Sequence, residues 1–144
     1  MDIEHELVVD APIEQVFAHF STPQGLDTWW TLTSSADARA DGTYGFGFGP
    51  EYQWKGVVRV FEPPHAIEWE MTDTSPMPDW LGARVGARLS VEGGGTRVHF
   101  YHRGWDGKTA HQRNTSFCWA LYLRHMARHC ATGALVPYER RLDL

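Results

Sequence analysis

Apolar residues recur along this chain at two different spacings. From residue 108 to residue 132 no glycine or proline interrupts the sequence. Within that run Trp119, Tyr122, Leu123, Met126 and Cys130 fall on one stripe at about 100° per residue, the spacing of an amphipathic helix. The run predicts a single long C-terminal α-helix, ~35 Å from end to end. Upstream the period is mostly two. Residues 44–49 set Tyr44, Phe46 and Phe48 on one face and glycines on the other. Residues 53–61 set Trp54, Val58 and Val60 against Lys55 and Arg59. In 65–71, Ile67, Trp69 and Met71 point one way and Glu68 and Glu70 the other. Val85, Ala87, Leu89 and Val91 share a face in 83–91, as do Val98, Phe100 and His102 in 96–102. Residues 35–40 alternate as well, with Ala36, Ala38 and Ala40 expected to face inward.

The first 32 residues read differently. Ile3–Val9 is β-rich and runs into Asp10-Ala11-Pro12. Asp10 suits an N-cap and Pro12 the first helical turn, so Ile13, Val16, Phe17 and Phe20 predict a short helix to about Ser21. Pro23 ends it, and Leu26, Trp29 and Trp30 predict a second short helix or turn after Gly25. Asp41-Gly42, Pro63-Pro64 and the glycines at 93–95 mark turns. Residues 72–82 (TDTSPMPDWLG) form a long loop carrying Met77, Trp80 and Leu81, either a lid or a surface loop pinned by its tryptophan.

The order is β-α-α followed by six more strands and the long helix. Turns this short exclude parallel crossovers, so the sheet is antiparallel. The expected fold class is α+β: a curved sheet of about six to seven strands gripping the last helix on its concave side. The whole chain, 1–144, reads as one domain.

Composition narrows the function. The chain is 42% hydrophobic, 13% aromatic and rich in tryptophan, with a net charge of −5 and no basic run. That argues against nucleic acid as the main partner. No apolar stretch approaches the ~20 residues of a membrane span, and the N-terminus lacks a signal peptide's pattern. Cys118 and Cys130 lie about 18 Å apart on one helix and cannot pair. A reduced, cytoplasmic protein is the expectation.

Short motifs then add a resemblance. Residues 11–17 (APIEQVF), 22–26 (TPQGL) leading to Trp29-Trp30, Arg39 before Asp41-Gly42, Gly56-Val57-Val58 before Pro63-Pro64, residues 96–102 with Gly104-Trp105, and Trp119 follow in order. In this order the chain resembles the START-like (SRPBCC) superfamily, within it the heat-shock-protein ATPase activator homologue (AHSA-type) family. The resemblance implies a helix-grip fold with an apolar cavity between sheet and helix. Asp41-Gly42 departs from it, standing where a Gly-Gly pair is more usual.

The candidate site follows from those inward rings. Trp30, Phe46, Phe48, Trp54, Trp69, Met71, Leu89, Phe100, His102, Trp105, Trp119, Tyr122 and Met126 are expected to line a pocket for a small apolar or aromatic molecule. No residue is assigned to catalysis, to a metal or to a cofactor. His125 and His129, spaced i and i+4, lack an evident third ligand. Residues 45–49 lack the helix that a phosphate-binding glycine loop needs. Two other functions compete. One is an enzyme of cyclase, dehydratase or hydrolase type with His102 as acid or base. The other is a chaperone-related interaction module. Phe117 and Leu121, rimmed by Arg124 and Arg128, form an apolar pair that reads as a homodimer contact or as a face covered by the C-terminal tail.

Overall fold

The computed structural model describes residues 2–143. Its elements run β1 Ile3–Val9, α1 Ile13–Ser21, α2 Pro23–Leu26, β2 Thr33–Ala36, β3 Thr43–Gly47, β4 Gln53–Glu62, β5 Ala66–Asp73, β6 Arg84–Glu92, β7 Gly95–Arg103 and α3 Ala110–Thr132. Single 3₁₀ turns sit at Pro78–Trp80 and Tyr138–Arg140. The seven strands form one antiparallel sheet in the order β1-β7-β6-β5-β4-β3-β2. Consecutive strands pair except β1, which closes onto β7. α1 and α2 lie on the chain path from β1 to β2, the two edge strands of the sheet. This is the α+β helix-grip architecture that the two spacings predict.

Alternation places most side chains as expected. Ile67, Trp69, Met71, Val85, Ala87, Leu89, Val98, Phe100 and His102 are all buried on the concave face. Across the sheet Val58, Trp69, Val85, His102 and Ile3 stand in one row of paired residues. α3 lays Trp119, Leu123, Met126 and Cys130 against this face. Thr109 caps the helix, its hydroxyl accepting from the Gln112 amide at 3.1 Å, and Gly133 closes it at φ 75°.

Several expectations need correction. α1 is preceded by Pro12 in extended geometry, with no side-chain cap, so Asp10 does not cap it. α2 begins at Pro23, with the Thr22 hydroxyl accepting from the Gly25 amide. Residues 37–40 leave the sheet, and Ala38 and Ala40 are exposed. A register shift between Val58 and Val60 turns Val60 away and brings Phe61 inward, onto Phe17 at 5.9 Å. Val91, near the end of β6, is 66% exposed because the concave face has run out beneath it. Asp41 adopts φ 62°, a left-handed conformation that aspartate tolerates, which is why glycine would serve as well at this turn.

The largest correction concerns Glu68. It does face the convex side, yet it is only 7% exposed. Tyr101 donates its hydroxyl to Oε1 at 2.6 Å and Arg84 donates to Oε2 at 2.9 Å. Glu68, Gly86 and Tyr101 are paired in one row across three strands. A Cβ at Gly86 would lie 2.7 Å from the Tyr101 hydroxyl, so the missing side chain is what lets the ring reach across to the carboxylate. Burial and that carboxylate together push the Tyr101 pKa up. Glu70 pairs instead with Arg84 and Arg59. The two carboxylates are thus parts of one charge ladder on the convex face.

Candidate functional site

The interior of the grip is filled by rings. Trp119 from α3 packs on Phe100 at 4.5 Å, Trp30 at 5.0 Å and Trp80 at 5.7 Å. Trp30 in turn meets Phe46 and Trp69. Trp80 comes from the β5–β6 loop and sits 4.5 Å edge-on from His102. These side chains occupy the space between sheet and helix where the family resemblance implied a cavity.

What remains open is a cleft of about 260 Å³ at the mouth of the grip. Trp30, Phe48, Tyr52 and Trp54 form the sheet side, Met77 and Trp80 the loop side, and His111, Thr115, Cys118 and Tyr122 the helix side. Tyr138, from beyond α3, closes the outer edge. Four sequence-expected residues, Trp30, Phe48, Trp54 and Tyr122, are on its wall. The other nine, Phe46, Trp69, Met71, Leu89, Phe100, His102, Trp105, Trp119 and Met126, lie in the packed interior instead. Alternation could not separate the two groups, since it gives the face of a strand and not the depth along it.

Most of the cleft residues absent from the expectation have readable signals. His111, Thr115 and Cys118 recur at three- or four-residue spacing with the expected Tyr122, a second stripe on α3 beside the apolar one. Met77 and Trp80 were legible as loop hydrophobics. Tyr138 and Tyr52 had no signal beyond being aromatic.

The polar chemistry is modest. His111 Nδ1 donates to Asp79 Oδ2 at 2.7 Å, tying the loop to the first turn of α3. Burial raises the Tyr122 pKa to about 12 and also raises that of the Cys118 thiol, so both groups keep their protons at neutral pH. Cys118 is therefore no activated nucleophile. His125 and His129 are drawn apart. His125 Nε2 binds the Arg141 carbonyl at 2.6 Å, and His129 Nδ1 meets His19 Nε2 at 2.8 Å. Among the described residues no group of three potential metal ligands occurs. Phe117 stands 62% exposed on α3, whereas Leu121 is half-buried.

His102 is fully buried among Trp80, Trp105 and Trp119. Its Nδ1 accepts from Trp119 Nε1 at 3.1 Å, so the proton of the neutral ring is on Nε2. Burial, with a small push from His111, drops its pKa from 6.5 to about 3. Between pH 6.5 and 3 the unfolded chain binds a proton that the folded chain refuses. Stability is intact above about 6.5 and falls as the pH falls, by about 1.4 kcal/mol per unit. His102→Gln keeps an acceptor for Trp119 and removes that proton. Urea unfolding at pH 7, 6 and 5 is expected to show a shallower loss in this variant by about that slope. Parallel curves for variant and parent would refute it.

The family described as Activator of Hsp90 ATPase homolog 1-like protein matches residues 10–131. The chain belongs to this family. Solved structures share the fold across most of the length. The Aha1 dimer from Colwellia psychrerythraea is 24% identical, with a TM-score of 0.81 over 92% of this chain and 98% of that one. A protein from Staphylococcus saprophyticus is 19% identical, with a TM-score of 0.79 over 94% and 96%. One from Mesorhizobium loti is 14% identical, with a TM-score of 0.74 over both chains in full. No curated protein matches the sequence. No helix among the described residues is long and apolar enough to cross a membrane.

Proposed function

We propose that this AHSA1-like domain is a binding protein for a small, flat aromatic molecule held in the cleft at the mouth of the grip. The observation that carries the reading is the cleft wall. Trp30, Phe48, Trp54 and Trp80 converge there with Tyr122 and Tyr138, while His111, Thr115 and the phenols supply a few polar contacts on one side. Its ~260 Å³ lies just below the roughly 300–1,000 Å³ of drug-sized ligand sites and suits one or two fused rings. Stacking on such walls is favourable without any charge on the ligand. His102, the acid or base of the enzyme reading, is off the cleft wall.

The test is a titration with 2-naphthol, read by quenching of tryptophan fluorescence. Saturable quenching with a micromolar Kd is expected, weakened about tenfold or more in Trp54→Ala, a loss of ~1.4 kcal/mol. Quenching that rises linearly, as for free tryptophan, would overturn the reading. Native mass spectrometry of freshly purified protein would weigh whatever molecule it carries.

A further inference from the structure

The loop that carries Trp80 is an unusual piece of packing. At its base it is pinned to β5 by the Met71 and Gly82 amides, which donate to Ala83 and Met71 carbonyls at 2.9 and 2.8 Å. Beyond the base, its remaining hydrogen bonds are mostly internal, such as the Thr74 hydroxyl to the Met77 carbonyl. Three hydrogen bonds tie it outward: the Thr72 hydroxyl to the Lys55 carbonyl at 3.3 Å, Trp54 Nε1 to the Ser75 carbonyl at 3.2 Å, and His111 to Asp79. On one side of the loop is the 260 Å³ cleft. The loop also folds around a hollow of about 350 Å³, lined by its own Thr72, Ser75, Pro76, Pro78 and Leu81 among others. A segment that borders two open spaces nevertheless drives its largest side chain into the core, where Trp80 is 7% exposed.

The core around it is short of acceptors. Trp80 Nε1, His102 Nε2 and Trp69 Nε1 are buried without a hydrogen-bond partner among the described residues. Trp69 and His102 flank Val85 in the same concave row. Each of these N–H groups lacks a nitrogen or oxygen acceptor within the chain. Native interiors rarely leave such groups, and a ligand or an ordered water is the usual partner where they do. His102 is the sharpest case. Its Nδ1 is taken by Trp119, so its one remaining N–H is fixed in direction and lacks an acceptor.

We propose that Trp80 is an internal plug occupying the inner half of the ligand site, and that a planar aromatic ketone displaces it and accepts a hydrogen bond from His102 Nε2. The proposal rests on the aromatic-ligand reading of the cleft and names what the ligand must carry. The rings replace one indole among Trp30, Trp54 and Trp119 by another flat apolar surface. The carbonyl supplies the acceptor that the chain itself does not provide. Because His102 is neutral, the matching group is a neutral carbonyl and not a carboxylate, which would be buried there without a counter-charge. Apparent affinity is then reduced by the fraction of time the plug is in place.

The experiment compares 9-fluorenone with fluorene, three fused rings with and without the carbonyl, on the full chain and on Trp80→Ala. If Trp80 is only a cleft wall, removing it weakens binding. If it is a plug, removing it tightens binding, and at least a tenfold gain for fluorenone is expected. Fluorenone is also expected to bind Trp80→Ala about tenfold better than fluorene does. In the unmutated protein, fluorenone and not fluorene is expected to shift the ¹⁵N and proton resonances of His102 Nε2–H. That measurement holds even if Trp80→Ala does not fold. Unchanged or weaker binding in a folded Trp80→Ala, equal affinity for the two ring systems, or an unmoved His102 resonance at saturation would each overturn the plug. If 2-naphthol still saturates the cleft in that event, the cleft reading stands and only the plug falls. If neither fluorenone nor 2-naphthol binds, both fall together.

Discussion

Trp119→Ala is expected to cost about 3–5 kcal/mol of folding stability, the range for a large ring deleted from a packed interior. Trp119 sits on α3 at the point where helix, sheet and α2 corner meet. Its ring lies within 6.3 Å of those of Trp29, Trp30, Trp80, Phe100, His102 and Tyr122. Apart from Trp80 on its loop and Tyr122 at the cleft, these neighbours are held in the packed interior, so the space left behind cannot collapse fully. The indole N–H adds a second loss, because His102 Nδ1 would be left buried without its donor. For a chain of this size the thermal midpoint should fall by roughly 10–20 °C. Trp119→Phe separates the two contributions. It keeps most of the apolar volume, drops the donor, and should cost about 1–3 kcal/mol. Calorimetry on the three proteins decides. A loss under about 1 kcal/mol in Trp119→Ala would mean that the grip is not filled as described.

The same residue shows what a sequence can and cannot convey. The stripe Trp119, Leu123, Met126 and Cys130 is written at helical spacing, and burial follows from it. The strand faces are written as alternation, and the antiparallel order from turns too short for crossovers. Three things escaped this reading. The shift at Arg59 that swaps Val60 for Phe61 depends on how β4 meets β5, which no single strand records. Burial of Glu68 depends on Tyr101, two strands away, reaching over a glycine that looks unimportant in its own strand. The separation of cleft wall from filled core depends on a loop, since Trp80 is placed by the third dimension alone. In each case a local pattern fixes direction, and a partner distant in sequence fixes environment.

Asp41 is the converse case. A departure from the family's usual glycine pair is explained by one backbone angle, at φ 62°. Phe117 shows the same limit from outside. Its exposure was legible from the helix period, while the half-burial of Leu121, one turn on, was not.

Arg141→Ala is expected to release the segment after α3 and to open the outer edge of the cleft. Arg141 is buried, and its guanidinium donates to the carbonyls of Val136 at 3.1 Å, Thr31 at 3.1 Å and Asp27 at 2.6 Å. Its own carbonyl accepts from His125. One cation thus joins the α2 corner to the chain beyond the helix, and it does so through charge-assisted bonds, the stronger kind. Burial lowers its pKa, with Tyr122 and Tyr138 opposing that shift, but a guanidinium remains charged at neutral pH. Losing all three bonds does not cost three times one bond, because the freed carbonyls regain water once the segment lifts. About 2–3 kcal/mol is the expected loss in urea unfolding. The functional consequence runs through Tyr138, which packs beneath the guanidinium at 5.5 Å and forms the cleft's outer wall. Without it, 2-naphthol should bind severalfold more weakly, while amides from about 134 to 143 should exchange faster. Arg141→Lys keeps the charge, cannot span three carbonyls, and should fall between the two. Faster exchange with unchanged naphthol affinity would remove Tyr138 from the site and leave the stacking to Trp30, Phe48, Trp54, Trp80 and Tyr122.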